Sequence, residues 1–322
     1  MASVSGQPDQ TRPAGPPLVV LVGPTAVGKS AAAIELALQT NAEIVSADSR
    51  CLYRGMDIGT AKPSLADRAR VPHHLIDVTT PDQGWSLTQY QQAAYTAIAQ
   101  IHARGRLPLL VGGTGQYVRA VVEGWQAPPA GSAGPLRHEL ETVLAQQGVG
   151  ALANRLHSVD PESAQRIDLR NPRRVIRALE VALTTGESFV GQRRREPPPY
   201  RVTWLGLSLP RPLLYARIDA RLEAMLAAGL VDEVRRLSEQ GFDWDLPAMS
   251  ALGYSQIGQF LRGDCSLEEA VVLIKRATRQ FVRRQTNWFK PENPEIRWIE
   301  CTAQAPAAMA AWLARKQPGQ PA

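Results

Sequence analysis

Apolar and polar positions along the chain follow two periods in turn, and each change of period marks an element. Residues 18–22 form a run of five apolar side chains, mostly β-branched, which reads as a buried strand. After a glycine-rich break, an Ala-rich helical pattern runs from about Ser30 to Gln39. Residues 43–47 predict a second buried strand, 73–78 (HHLIDV) a third and 107–111 a fourth. Between the last two, Ser86 and Gln89 have capping-box spacing, and Tyr90, Ala94, Ala97, Ile98 and Ile101 make an apolar stripe that stops at Gly105. Strands alternating with helices imply a parallel sheet covered on both faces.

The pattern changes near Gly124. The Pro/Gly/Ala-rich stretch 126–135 reads as a linker, and 136–186 carries helical periodicity only. The PPP at 197–199 marks the return, after which 202–207 restores a strand. Residues 211–237 are helical with a break expected at Gly229, and 243–257 begins as loop and turns helical. Ser266 and Glu269 form a second capping box, opening a helix to about Phe289 with Ala270, Ile274, Ala277 and Phe281 on its buried side. Residues 297–300 predict a last strand. The expected architecture is α/β: a disordered tail (1–16), a P-loop NTPase-like core (17–123 and 201–301), a helical insertion (124–200), and a C-terminal tail (302–322) containing a short Ala-rich helix.

Charge sharpens this picture. The chain of 322 residues carries a net +6. Nine arginines (166, 170, 173, 174, 177, 193, 194, 195 and 201) face only four carboxylates between 166 and 201, so most of the excess lies in the insertion. Lys275, Arg279 and Arg283 make a basic i, i+4 row flanked by Arg276 and Arg284; such a row either lines a groove for a phosphate backbone or is simply solvated. The three cysteines are scattered without CxxC spacing, which argues against a disulfide framework or a zinc site. No apolar stretch has the length of a signal sequence or a membrane span, so a cytoplasmic chain is expected, with a monomer as the simplest state.

The chemistry starts at Gly23-Pro24-Thr25-Ala26-Val27-Gly28-Lys29-Ser30, which satisfies GxxxxGK(S/T) between a strand and a helix. Glycines there let successive N–H groups converge on a diphosphate at a helix N-terminus. Lys29 adds a point charge and Ser30 a hydroxyl suited to Mg²⁺. Asp48, just past the second strand, faces the same crevice in such a sheet. The fourth strand runs into Gly112-Gly113-Thr114-Gly115 rather than a carboxylate, which weakens a motor or switch ATPase. A small-molecule kinase remains open, as does chemistry in which the bound diphosphate is a leaving group.

Several motifs in order, GPTAVGKS, SADSRCLYRGMDIGTAKP, PHHLIDV, LLVGGTGQYVRAV, NPRRVIRALEV, RIDARLEAMLAAGLVDEV, ALGYSQI and ATRQFVRRQTNWF, resemble the tRNA dimethylallyltransferase (tRNA isopentenyltransferase) family over about residues 18–290. The resemblance implies that the loop at 23–30 holds the diphosphate of dimethylallyl diphosphate, with Mg²⁺ as cofactor. It implies a tRNA anticodon stem-loop as partner, with the adenosine 3′ of the anticodon as acceptor in tRNAs that read codons beginning with U. Asp48 is then the general base at N6, and Thr114 a contact with substrate. Arg217 and Arg221 are both candidates for the diphosphate. Asp48, Ser49, Arg50, Cys51, Thr114, Arg137, Gln165, Arg166, Ile167, Asp168 and Leu169 match segments that meet tRNA in the family. Two positions depart from the family pattern: Cys51 stands where members usually carry Gln, and Gln116 where they carry Leu. A thiol does not offer the paired donor and acceptor of an amide. A basic RNA-binding module without turnover is the non-enzymatic alternative. Tyr53, Tyr117 and Trp288 are candidates for base stacking or for the core.

Overall fold

A computed structural model describes residues 15–126, 134–192 and 194–316. The expected N-terminal tail to residue 14, most of the linker and the last six residues lie outside the described residues. The chain divides into two compact units: Glu123–Pro198 forms one, and the described residues up to Val122 with those from Pro199 onward form the other.

The larger unit begins with β1 (Pro17–Val22), α1 (Lys29–Thr40), β2 (Ala42–Ser46), α2 (Leu65–Arg70), β3 (His73–His74), α3 (Leu87–Ala103), β4 (Leu107–Val111) and α4 (Gly115–Glu123). The smaller unit contains β5 (Trp125–Gln126), α5 (Pro135–Val159), α6 (Pro161–Arg166), α7 (Pro172–Thr185) and β6 (Arg194–Arg195). The chain then completes the larger unit with β7 (Arg201–Ser208), α8 (Arg211–Ala227), α9 (Leu230–Glu239), α10 (Tyr254–Leu261), α11 (Leu267–Trp288), β8 (Ile296–Glu300) and α12 (Ala305–Lys316).

Six strands in the order β3-β2-β4-β1-β7-β8 make one sheet, parallel throughout. Period-2 alternation distributes its side chains: Val19, Leu21, Ile44, Leu109 and Leu205 pack under α1 and α12, while Leu18, Val20, Val45, Leu110 and Trp204 pack under α3 and α4. A third apolar cluster joins Tyr53 and Met56 to the inner faces of α8–α11. The P-loop, the turn after β2 and the turn after β4 all leave the carboxyl ends of strands, where open α/β sheets gather ligands.

Helix α3 buries the five residues of its expected stripe, and Ser86 with Gln89 forms the capping box. Gly229 (φ 95) separates α8 from α9. Three expectations need correction. The third strand is only two residues long, because Leu75 (φ 62) and Asp77 (φ 57) leave extended geometry and the segment pairs instead with the loop at 51–54, through Asp77 N–H to Cys51 O (3.1 Å) and Thr79 N–H to Leu52 O (3.1 Å). On α11 the expected Ala270 and Ile274 are buried, but farther along the buried positions are Val282 and Gln285, with Ala277 and Phe281 only half-buried. The C-terminal segment is not merely a tail, since Ala305, Met309 and Leu313 of α12 enter the core beside α1.

At the amino end of β2, Glu43 is buried and receives Arg104 Nη2 (2.6 Å) and Nε (3.0 Å), Arg106 Nη1 (3.3 Å) and His74 Nε2 (2.7 Å). Hydrogen bonding from Arg104 holds its carboxyl at about 2, against the desolvation that opposes it.

In the smaller unit α5 kinks at Gly148 (φ 76), and α5 packs on α7 around Leu140, Leu152, Leu156, Val175 and Leu179. Asp160 is buried and caps α6 through Ser163 N–H (3.0 Å) while also accepting from Phe189 N–H (2.8 Å).

Candidate active site

The loop after β1 closes on itself in a left-handed sense, with Ala26 at φ 62 and Gly28 at φ 104. Glycine is needed at 28, where an L side chain would be strained and the Cys301 sulfur stands 3.0 Å from a would-be Cβ. Thr25 N–H donates to Gln285 Oε1 (2.8 Å) and Val27 N–H to Pro24 O (3.4 Å). The amides of Ala26, Gly28, Lys29 and Ser30 have no hydrogen-bond partner among the described residues, which leaves them free to meet an anion. Lys29 Nζ donates to Gly23 O (2.9 Å) and Pro24 O (2.7 Å), leaving one of its three N–H bonds for a ligand. Burial lowers its pKa to about 8, with Arg221 adding to the shift and Asp48 opposing it.

Asp48 follows β2. One carboxylate oxygen accepts from Arg50 N–H (2.8 Å), and no ion pair to any described residue forms. Thr114 ties the neighbouring turn to it: Thr114 N–H donates to Ala47 O (3.2 Å), and Thr114 Oγ1 accepts from Ser49 N–H (3.1 Å). Gly112 allows that approach, since a Cβ there would overlap the Ala47 carbonyl. Asp48 and Thr114, both expected in the site, are thereby brought to one turn-to-turn junction.

The two candidate arginines separate. Arg217 Nη1 donates to Val27 O (3.1 Å) and lies 3.7 Å from Cys301 Sγ, bracing the P-loop from behind. Arg221 makes no hydrogen bond to any described residue. Burial lowers its pKa, and the negative charge of Asp48 opposes that shift. Lys29, Asp48 and Arg221 therefore sense one another's charge without being neutralised by direct pairing, an arrangement suited to a charged ligand.

Among the expected RNA contacts, the Cys51 side chain is only 6% exposed, and burial together with Asp48 pushes its thiol far up. Without RNA, its side chain offers neither a reactive thiolate nor an exposed surface for a base. Arg50 uses its guanidinium on Pro247 O (2.6 Å) and Ser250 Oγ (3.3 Å). In the smaller unit, Arg137 is paired with Glu141 (2.9 Å) and the buried Glu180 (3.2 Å), and Arg166 with Glu162 (3.0 Å). Gln165, Arg166 and Asp168 are exposed, whereas Ile167 and Leu169 lean on the helical core. Arg173 and Arg174, at the start of α7, are exposed and form no ion pair with described residues. Tyr53 and Tyr117 are buried; Tyr117 stacks on Tyr90 at 3.7 Å, while Trp288 is 39% exposed. Gln116 is exposed on α4.

Sequence reasoning missed two buried polar residues. Glu233 of α9 accepts from the N–H groups of Asp57 (3.0 Å), Ile58 (2.8 Å) and Gly59 (3.1 Å) and from Tyr254 OH (2.6 Å), fixing the DIGT turn. Gln285 of α11 links two loops of the site. The available signal was a polar residue on the apolar phase of an amphipathic helix.

No group of three His, Cys, Asp or Glu side chains converges as a metal site among the described residues. The Ser30 hydroxyl, exposed at the second position of α1, is an oxygen donor of the kind that Mg²⁺ takes. No described helix is long and apolar enough to cross a membrane.

A family model described as IPP transferase matches residues 51–292. The chain is 56% identical over 274 residues to a tRNA dimethylallyltransferase of Roseiflexus sp. (strain RS-1), covering 85% of this chain and 90% of that one. It is 54% identical over 286 residues to the tRNA dimethylallyltransferase of Thermomicrobium roseum, covering 89% and 87%. Among solved structures, the full-length tRNA isopentenylpyrophosphate transferase from Bacillus halodurans is similar at TM-score 0.70 and 39% identity, over 93% of this chain and 96% of that one. A eukaryotic dimethylallyltransferase acting on tRNA is similar at TM-score 0.78 and 25% identity, over 94% and 80%.

Proposed function

The chain belongs to the IPP transferase family, and from that premise we propose that it transfers a dimethylallyl group from dimethylallyl diphosphate to the exocyclic N6 of the adenosine 3′-adjacent to the anticodon. The tRNAs are those reading codons that begin with U, and diphosphate is the second product. The relatives favour neither a small-molecule kinase nor a non-enzymatic RNA-binding module.

The observation that carries this reading is the unpaired Asp48 beside two cations, Lys29 and Arg221. In the proposed step the bond between C1 of the allyl group and the diphosphate oxygen breaks and a bond from N6 to C1 forms. The displaced N6 proton passes to Asp48. Lys29, Arg221 and the free amides of Ala26, Gly28, Lys29 and Ser30 gather the charge of the departing diphosphate. Ser30 would help hold Mg²⁺, whose charge further stabilises that leaving group. Thr114 fixes the turn carrying Asp48 through Ser49 N–H (3.1 Å). An adenine inside a folded loop reaches such a crevice only when flipped out of its stack.

The RNA itself is assigned to basic, uncompensated surface: Arg173 and Arg174 of α7, with Gln165–Leu169 nearby in sequence. Arg50 and Arg137 join this surface by exchanging their present partners for RNA phosphates. A cytoplasmic, monomeric enzyme is part of the same reading, since its RNA substrate is met there. Incubation of unmodified tRNA with labelled dimethylallyl diphosphate and Mg²⁺ tests it: nuclease digestion should yield one labelled adenosine, and unlabelled RNA from a competent preparation refutes the reading.

A further inference from the structure

The three glycines of the GGTG turn have three different neighbours. Gly112 makes room for the Ala47 carbonyl, Gly113 for the side-chain amide of Gln285, and Gly115 for the Trp288 ring; at each position a Cβ would overlap the named group. Two of these neighbours come from the last turns of α11. The glycines thus form a notch into which the last turns of α11 and the end of β2 fit.

Gln285 is 4% exposed and both ends of its amide are used. Oε1 accepts from Thr25 N–H (2.8 Å) in the P-loop, and Nε2 donates to Gly113 O (3.1 Å) in the turn after β4. The same turn continues into Thr114, which holds Ser49 beside Asp48. One buried side chain thus bridges the loop that would carry the donor's diphosphate and the turn that would position the base. An amide is suited to this because it presents a donor and an acceptor in one rigid plane. The anchor is firm: Val282 and Phe289 on either side are buried, and Phe289 packs against Trp204 of β7 with ring centroids 6.4 Å apart.

We propose that Gln285 is a positioning residue of the transfer reaction: it holds the diphosphate cradle and the Asp48–Thr114 junction at a fixed spacing, without itself touching substrate. The proposal rests on the transferase reading above. Transfer between two bound groups depends on their alignment, and a displacement of about 1 Å costs roughly 10²-fold in rate. Loss of the bridge acts on kcat, whereas RNA binding, which uses other surfaces, changes little.

The test uses full-length Gln285→Met, which keeps length and apolar packing but neither hydrogen bond, and Gln285→Glu, which keeps the acceptor for Thr25 N–H and loses the donor to Gly113 O. Steady-state transfer from dimethylallyl diphosphate to tRNA is measured well below the melting temperature of each variant. Gln285→Met should lose roughly 30- to 100-fold in kcat, with KM for tRNA within about threefold, and Gln285→Glu should fall between it and the parent. Gly113→Ala supplies a second route, since its methyl group displaces the Gln285 amide. It should lower kcat alone but add nothing in a Gln285→Ala background, where the space is open. Parent-like kcat in folded Gln285→Met, or an equal further loss on adding Gly113→Ala to Gln285→Ala, overturns the proposal while leaving the transferase reading intact. No transfer by the parent itself removes both.

Discussion

Strand β2 has a carboxylate at each end, Glu43 inside its amino end and Asp48 just beyond its carboxyl end, and their surroundings are opposite. Glu43 is met by two arginines and a histidine, and every one of these contacts is a direct hydrogen bond. Asp48 has a single backbone donor, although Lys29 and Arg221 are close enough to shift in its field. Saturated pairing leaves Glu43 nothing to offer a ligand, so its contribution is to the fold. Incomplete pairing leaves Asp48 with free acceptor capacity in an electropositive crevice, the condition for taking a proton or a ligand's donor. The charges alone do not separate the two residues; the count of satisfied lone pairs does.

The contrast breaks most sharply at Asp48. Asp48→Asn should lower the transfer rate by about 10²-fold or more with little change in melting temperature, and a parent-like rate would remove its role as base. Glu43→Gln should do the reverse, leaving kcat unchanged while costing about 2 kcal/mol of stability, allowing for solvent at the arginines. Because the folded pKa of Glu43 lies near 2, below its ordinary 4.5, that stabilisation is complete above about 4.5 and disappears as pH falls towards 2. Denaturant titrations of the Gln variant should lose this part of the acid dependence.

A smaller effect separates the two arginines. Arg221→Ala should raise KM for dimethylallyl diphosphate by about tenfold, the loss of one charge-assisted contact, whereas Arg217→Ala, which unbraces Val27, should chiefly lower the melting temperature. Equal kinetic effects would erase the distinction drawn from their partners. The smallest effect is in the pH profile: kcat/KM for the donor should decline as pH rises through about 8, where Lys29 loses its proton. A flat profile to well above that value would place the donor's charge recognition elsewhere.

What the sequence made legible was local. The capping box and stripe of α3 lie within one helix, so their periodicity survives folding unchanged. Lys29 and Asp48 could be named because a glycine loop and a strand end fix their place in any sheet of this kind. The third strand was overestimated because its partner is the loop at 51–54, not β2 along its length. Gln285 left only a weak local signal, a polar residue on the apolar phase of α11, because its two partners are 260 and 172 positions away and a glutamine among arginines reads as surface. Choosing between Arg217 and Arg221 likewise required knowing which carbonyl and which sulfur lie beneath α8.

The account stands on the P-loop holding a leaving group, and the phosphorus product reports that most directly. With tRNA, dimethylallyl diphosphate and Mg²⁺ present, phosphorus NMR should record inorganic diphosphate appearing in equal amount to the dimethylallyl groups fixed on RNA, with no orthophosphate. Orthophosphate or ADP formed from added ATP, with no alkylated RNA, would contradict it.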